Sequence, residues 1–288
     1  MPTTAKTFRT AVVCLLALVP VCVHAEGIDT EHIFAFMIGA DVGNKGEREF
    51  QSETTGRFGK NGRKYRAAGQ EFELEFVPVE NFRIEVGSTF AAHAISGVPG
   101  LDDRSRFSWQ GGSVDFRYRF LNREAAPFGL TLAMEAHANR VDETTAEGIR
   151  NYGTEFRLAF DRELIPDRVV AAFNLIYEPE WTRFFDRGVA ERESTIGAAF
   201  GVMAQMRPGF LLGGEARYLR RYEGIGLEEL AGEAVFIGPT AYFQLSKGSR
   251  LTASWSAQVW GRPAGSIAAL DLVNFERHQA RLVFGFNF

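Results

Sequence analysis

In the stretch Glu71-Phe72-Glu73-Leu74-Glu75-Phe76 an acid and an apolar residue alternate without a break, the period of two that marks a strand with one wet and one greasy face. The same rhythm returns in Val114-Asp115-Phe116-Arg117-Tyr118-Arg119-Phe120, through residues 151–161, and in the last nine residues, ARLVFGFNF. Read along the chain, the pattern predicts strands at 31–42, 64–78, 82–94, 108–121, 127–139, 151–161, 168–180, 193–206, 209–222, 233–246, 250–261 and 275–288. Segments rich in Gly, Pro, Asn and Asp separate them. Short turns (Glu80-Asn81, 122–126, 162–167, Arg207-Pro208, 247–249) alternate with longer polar loops, the first being 43–63. Twelve strands result, ten or fourteen being the neighbouring counts. The short turns gather at one end with both termini, the longer loops at the other, and no plug precedes the first strand.

The two faces differ sharply in charge. One carries Phe72, Leu74, Phe76, then Phe82, Ile84, Val86, then Val114, Phe116, Tyr118, Phe120, and onward to Leu251, Ala253, Trp255, Ala257, Val259, with no charged residue. The other carries Glu71, Glu73, Glu75, Arg83, Glu85, Asp115, Arg117, Arg119, Glu135, His137, Glu155, Arg157, Glu178, Glu180, Glu215, Arg217, Arg277 and Arg281. A closed sheet with the first face toward lipid and the second toward a lumen satisfies both.

Composition narrows the choice. Met1–Ala25 has Lys6 and Arg9, then a 13-residue apolar run from Ala11 to Val23, and ends Val23-His24-Ala25: the layout of a removed signal peptide. Its removal leaves 288 − 25 = 263 residues, 26–288, which suit one domain. The charge goes from −4 to −6 as Lys6 and Arg9 leave. Both cysteines, Cys14 and Cys22, leave with the segment. No later stretch is long and apolar enough for a membrane helix, so any spanning must be by strands. The acidic balance and the lack of a basic stripe exclude nucleic acid.

The closing strand, with Phe284, Phe286 and a terminal Phe288, resembles that of Gram-negative outer-membrane β-barrels. The resemblance implies an all-β, transmembrane, antiparallel up-and-down barrel in a cell outer membrane, with both termini periplasmic. Its implied partners are outer-membrane lipid, lipopolysaccharide and the barrel-assembly machinery, which would read Phe284, Phe286 and Phe288. Twelve strands enclose a narrow lumen. The leading function is therefore passive passage of small hydrophilic solutes or ions, selected by Glu71, Glu73, Glu75, Arg83, Glu85, Asp115, Arg117, Arg119, Glu135, Glu155, Arg157 and Arg217. Acids in slight excess make the expected preference cationic; cross-strand pairing of the same groups would instead only stiffen the wall. The alternatives are a lipid-acting enzyme and a structural or adhesive barrel with a blocked lumen.

No catalytic constellation, cofactor or metal site is expected. Ser88 and His93 stand five apart, on opposite faces of one strand, and His137 beside Glu135 reads as a lumen-wall pair. Asp102-Asp103 and Glu228-Glu229 read as solvated loop acids. Lys45, Arg48, Arg57, Lys60, Arg63 and Lys64, in the first long loop, read as solvated charges, with lipopolysaccharide phosphates as the alternative partner.

Overall fold

The computed structural model describes residues 27–288; the expected signal peptide lies outside them. Twelve strands form one closed antiparallel sheet in which each pairs with its chain neighbours and β12 closes on β1. They are β1 (Arg48–Phe58), β2 (Lys64–Val79), β3 (Phe82–Ser96), β4 (Arg104–Leu121), β5 (Gly129–Val141), β6 (Gly148–Ile165), β7 (Val169–Phe184), β8 (Ala190–Arg207), β9 (Phe210–Glu223), β10 (Glu229–Ser246), β11 (Ser249–Pro263) and β12 (His278–Asn287). Glu49 faces Asn287 and Phe58 faces His278 across the seam. Closure leaves no unpaired strand edge, which is what allows a sheet to sit in hydrocarbon.

The faces divide as the alternation predicts. Phe72, Leu74, Phe76, Tyr118, Phe120, Leu132, Phe156, Phe173, Leu175, Trp255 and Leu282 are exposed on the outer wall. Aromatic pairs such as Phe72 with Phe50 and Phe156 with Tyr177 cover that wall across strands. Glu75, Arg83, Glu85, Asp115 and Glu215 are buried within. The barrel spans a membrane with an apolar exterior around a charged interior.

The strand count holds, but the first strand is a different one. Residues 31–42 are not a strand: they run irregularly inside the barrel, and Ile33, Phe34, Ala35, Phe36, Met37, Ala40 and Val42 are all buried. The true β1 lies within the stretch expected to be a loop. Its outward positions, Phe50, Ser52, Thr54, Gly56 and Phe58, form too weak a stripe to register as a lipid face. Residues 33–40, surrounded on every side, carry no polar side chain, and the charged Glu31, His32 and Asp41 flank them. The expectation of no plug therefore fails.

The first loop shrinks to residues 59–63, and its basic residues disperse. Arg48 opens β1 at the turn end, Arg57 points inward to Glu143 at 2.6 Å, and Lys60 is buried, donating Nζ–H to the carbonyls of Val273 and Phe275. Burial lowers the Lys60 pKa, against the opposing charge of Glu276. The last strand is shorter than expected as well. It begins at His278, Phe275 packs edge-on against Phe236, and Arg277 is exposed rather than lumenal.

Candidate functional site: a plugged lumen beneath an acidic chamber

Gly27–Asn44 enters the lumen at the turn end, rises to an apex near Phe36 and returns to β1. Its two limbs touch: Thr30 donates its backbone N–H to Asp41 at 2.9 Å, and a Cβ at Gly39 would lie 2.2 Å from the Thr30 carbonyl. Only glycine allows that approach.

An irregular segment shut away from water needs partners for its backbone, since it has no ladder of its own. The barrel wall supplies them. Glu215 accepts the N–H groups of Ala35 and Phe36, both at 2.8 Å, and Asn174 brackets Ile38, accepting its N–H and donating to its carbonyl, both at 2.9 Å. Asp161 accepts from Ala40 at 2.7 Å, Thr131 donates to the Ala40 carbonyl at 2.5 Å, and Thr252 donates to that of His32 at 2.8 Å. At the apex Phe36 lies under two guanidiniums, Arg217 at 4.0 Å and Arg281 at 4.8 Å from its ring centre. Each such contact contributes roughly 0.5–2 kcal/mol.

The segment is two-sided. Ile28, Ile33, Phe34 and Met37 form an apolar core with Val170, Ala172, Ala199, Met203 and Leu211 of β7, β8 and β9. Toward β1–β4 it presents charge. Arg83, 1% exposed, reaches Glu31 at 2.5 Å and Glu75 at 3.2 Å and also pairs with Glu85. Arg117 pairs with Glu85 at 3.0 Å and Asp115 at 2.8 Å, while Arg119 pairs with Asp41 of the segment at 3.2 Å. His32 stands 3.6 Å from both Glu31 and Glu49.

Above the plug, toward the loop end, a chamber of about 590 Å³ has Phe36 in its floor. Twelve acids line it: Glu53, Glu71, Glu135, Asp142, Glu143, Glu155, Glu178, Glu180, Glu191, Glu193, Glu223 and Glu276. Against them stand six arginines, Arg57, Arg157, Arg187, Arg217, Arg221 and Arg281, and His137. The formal excess of acids over arginines is 12 − 6 = 6. Below the plug a recess of about 100 Å³ opens near Asp29, Glu31, His32 and Glu49, and it shares no lining residue with the chamber. The segment parts the lumen into two compartments.

The twelve selectivity candidates separate accordingly. Glu71, Glu135, Glu155, Arg157 and Arg217 line the chamber. Glu75, Arg83, Glu85, Asp115, Arg117 and Arg119 lie in the ion-pair lattice at the level of the plug, and Glu73 accepts a hydrogen bond from Gln51. Glu71, Glu73 and Glu75 therefore do not act as one exposed line of charge. Glu178, Glu180 and Glu215 stood in the alternating polar set without being singled out, whereas Glu53, Asp142, Glu143, Glu191, Glu193, Glu223 and Glu276 gave no such signal, lying in expected loops or at strand ends. Asn174 had a signal too, as the lone polar residue of the otherwise apolar run 169–177. Ser88 accepts a hydrogen bond from Trp109 Nε1 on the outer face, whereas His93 is buried inside with Nε2 2.9 Å from the Glu143 carbonyl, so the two do not meet.

A closed sheet of twelve strands, apolar without and charged within, defines a transmembrane barrel of the outer-membrane type. The chain belongs to the family of unknown function DUF6662, matched over residues 26–288. No curated protein matches it. Among solved structures it is similar to the COG4313 outer membrane channel from Pseudomonas putida F1, at 13% identity and a TM-score of 0.59, covering 86% of this chain and 98% of that one. It is also similar to the beta domain of the Bordetella autotransporter BrkA, at 14% identity and a TM-score of 0.50, covering 85% and 100%. The NanC porin follows at 10% identity and a TM-score of 0.49, covering 83% and 100%. At these identities the likeness is one of fold.

Proposed function

We propose that the protein is an outer-membrane channel for small hydrophilic cations, in which residues 27–44 act as an internal gate. The turn end, with both termini, faces the periplasm, and the loop end opens the chamber to the outside. The observation that carries this reading is the acid excess of the chamber: in a confined volume with low-dielectric walls, uncompensated carboxylates concentrate cations and repel anions. Passage requires the segment to withdraw, because the chamber and the lower recess are separated by it. Insertion would use the closing strand and its Phe284, Phe286 and Phe288. The basic residues of the first loop, now dispersed, form no single patch for lipopolysaccharide.

A second reading has its own observation. The dense bonding between plug and wall suits a permanently blocked, structural barrel. Reversal potentials in a KCl gradient, recorded for the barrel lacking residues 28–42, address the charge argument without the gate. The expected result is cation selectivity that falls when Glu71→Gln and Glu223→Gln are combined, since neither acid has an arginine within 4.0 Å among the described residues. Anion selectivity, or selectivity untouched by the double change, contradicts the reading.

A further inference from the structure

One cluster in the chamber wall has chemistry that neither the gate nor the general acid excess needs. On β5, β6 and β7 the inward residues His137, Gly153 and Glu180 lie in register across three adjacent strands. The glycine is the enabling residue: a Cβ there would lie 2.3 Å from His137 Nε2 and 3.0 Å from Glu180 Cγ. With no side chain in the way, the imidazole lies across β6 and brings Nε2 to 3.3 Å from Glu180 Oε1. Glu178, the next inward residue on β7, completes a group whose nitrogen and carboxylate oxygens all lie within 4.8 Å of one another.

We propose that His137, Glu178 and Glu180 bind a divalent transition-metal ion such as zinc. Two donors held tetrahedrally about zinc at ordinary bond lengths stand about 3.3 Å apart, the separation of His137 Nε2 from Glu180. One imidazole with two carboxylates is an open coordination set, leaving a position for water or a solute facing the chamber. The surroundings support the ligands. Asn151 donates Nδ2–H to Glu180 at 3.0 Å and fixes that carboxylate, while Glu135 stands 3.9 Å from His137 Nδ1, the nitrogen that carries the proton once Nε2 holds a metal. A plain His137–Glu180 ion pair leaves Glu178 unexplained. That carboxylate has no arginine or lysine within 4.0 Å among the described residues, and one protonated imidazole cannot balance three neighbouring acids.

The test is a cobalt titration of the refolded full barrel in detergent, followed by visible absorption, with zinc as competitor. One equivalent of cobalt should bind with ligand-field bands and be displaced by zinc far more readily than by calcium or magnesium. His137→Ala and Glu178→Gln should each abolish those bands while keeping heat-modifiable migration, and Gly153→Ala should weaken binding by displacing the imidazole. The loop pair Asp102→Asn with Asp103→Asn should bind as the wild type does. Bands that persist in His137→Ala, displacement by calcium or magnesium as readily as by zinc, or equal loss in the loop variant would each overturn the site and leave diffuse acidic attraction.

Discussion

Deleting residues 28–42 should turn a barrel of low conductance into one that conducts at least an order of magnitude more in planar bilayers. The wall contributes its own closed ladder of hydrogen bonds, β12 to β1 included, so the sheet does not depend on the segment for strand pairing. The deletion does expose the apolar patch formed by Val170, Ala172, Ala199, Met203 and Leu211 to water in the lumen. Some stability is lost with it, at ~25 cal/mol per Å² of apolar surface uncovered. The conductance change should nevertheless dominate, because the deletion joins two compartments that share no lining residue. A deleted barrel that inserts normally and conducts no better than the wild type would mean that the lumen is closed elsewhere.

Arg83→Ala should be the most destabilising single substitution at the level of the plug. Its guanidinium is fully enclosed and serves Glu31, Glu75 and Glu85 together, and those carboxylates come from the segment, β2 and β3. Removing one partner from a buried ionic group costs ~3–5 kcal/mol, because the remaining charges are left unpaired away from water. The segment should loosen first, since Glu31 loses the ion pair that ties it to β3. Denaturant unfolding in detergent, read with protease sensitivity of residues 27–44, measures both. Wild-type stability together with a protected segment would show that the lattice does not hold the plug.

Periodicity revealed the barrel because lipid imposes one rule on every strand: the outward positions must be apolar, whatever the inward ones do. That is why eleven strands, their faces and the division of turns from loops could be read from Phe72-Leu74-Phe76 onward. It failed where the environment was not lipid on one side and lumen on the other. Residues 33–40 are apolar because protein surrounds them, and a buried irregular segment is indistinguishable by composition from a strand buried on both faces. The inner wall held a clue to its presence. Residues 169–177 are apolar at inward Val170, Ala172 and Ile176 as well as outward, which an open aqueous lumen would not favour. Five of the twelve chamber acids, Glu71, Glu135, Glu155, Glu178 and Glu180, were visible in the alternating polar set; the other seven, in expected loops or at strand ends, were not, and neither was the separation of the chamber from the plug lattice. It depends on Glu31, Asp41 and Phe36, which arrive from a segment that alternation had placed in the sheet.

A reversible tether between the segment and the wall decides whether residues 27–44 gate the lumen. The chain has no cysteine after residue 26, so Met37→Cys with Gly201→Cys introduces a single pair; a Cβ at position 201 would lie 2.7 Å from Met37 Sδ and 2.7 Å from Phe34 Cε1, so the Phe34 ring must shift and the Gly201→Cys single variant controls for that shift. Currents are recorded from one bilayer while the oxidised protein is reduced. Openings should be absent in the disulfide form and appear on reduction, with none of this change in either single-cysteine variant. Equal conductance in the oxidised and reduced states would show that the segment does not gate the lumen.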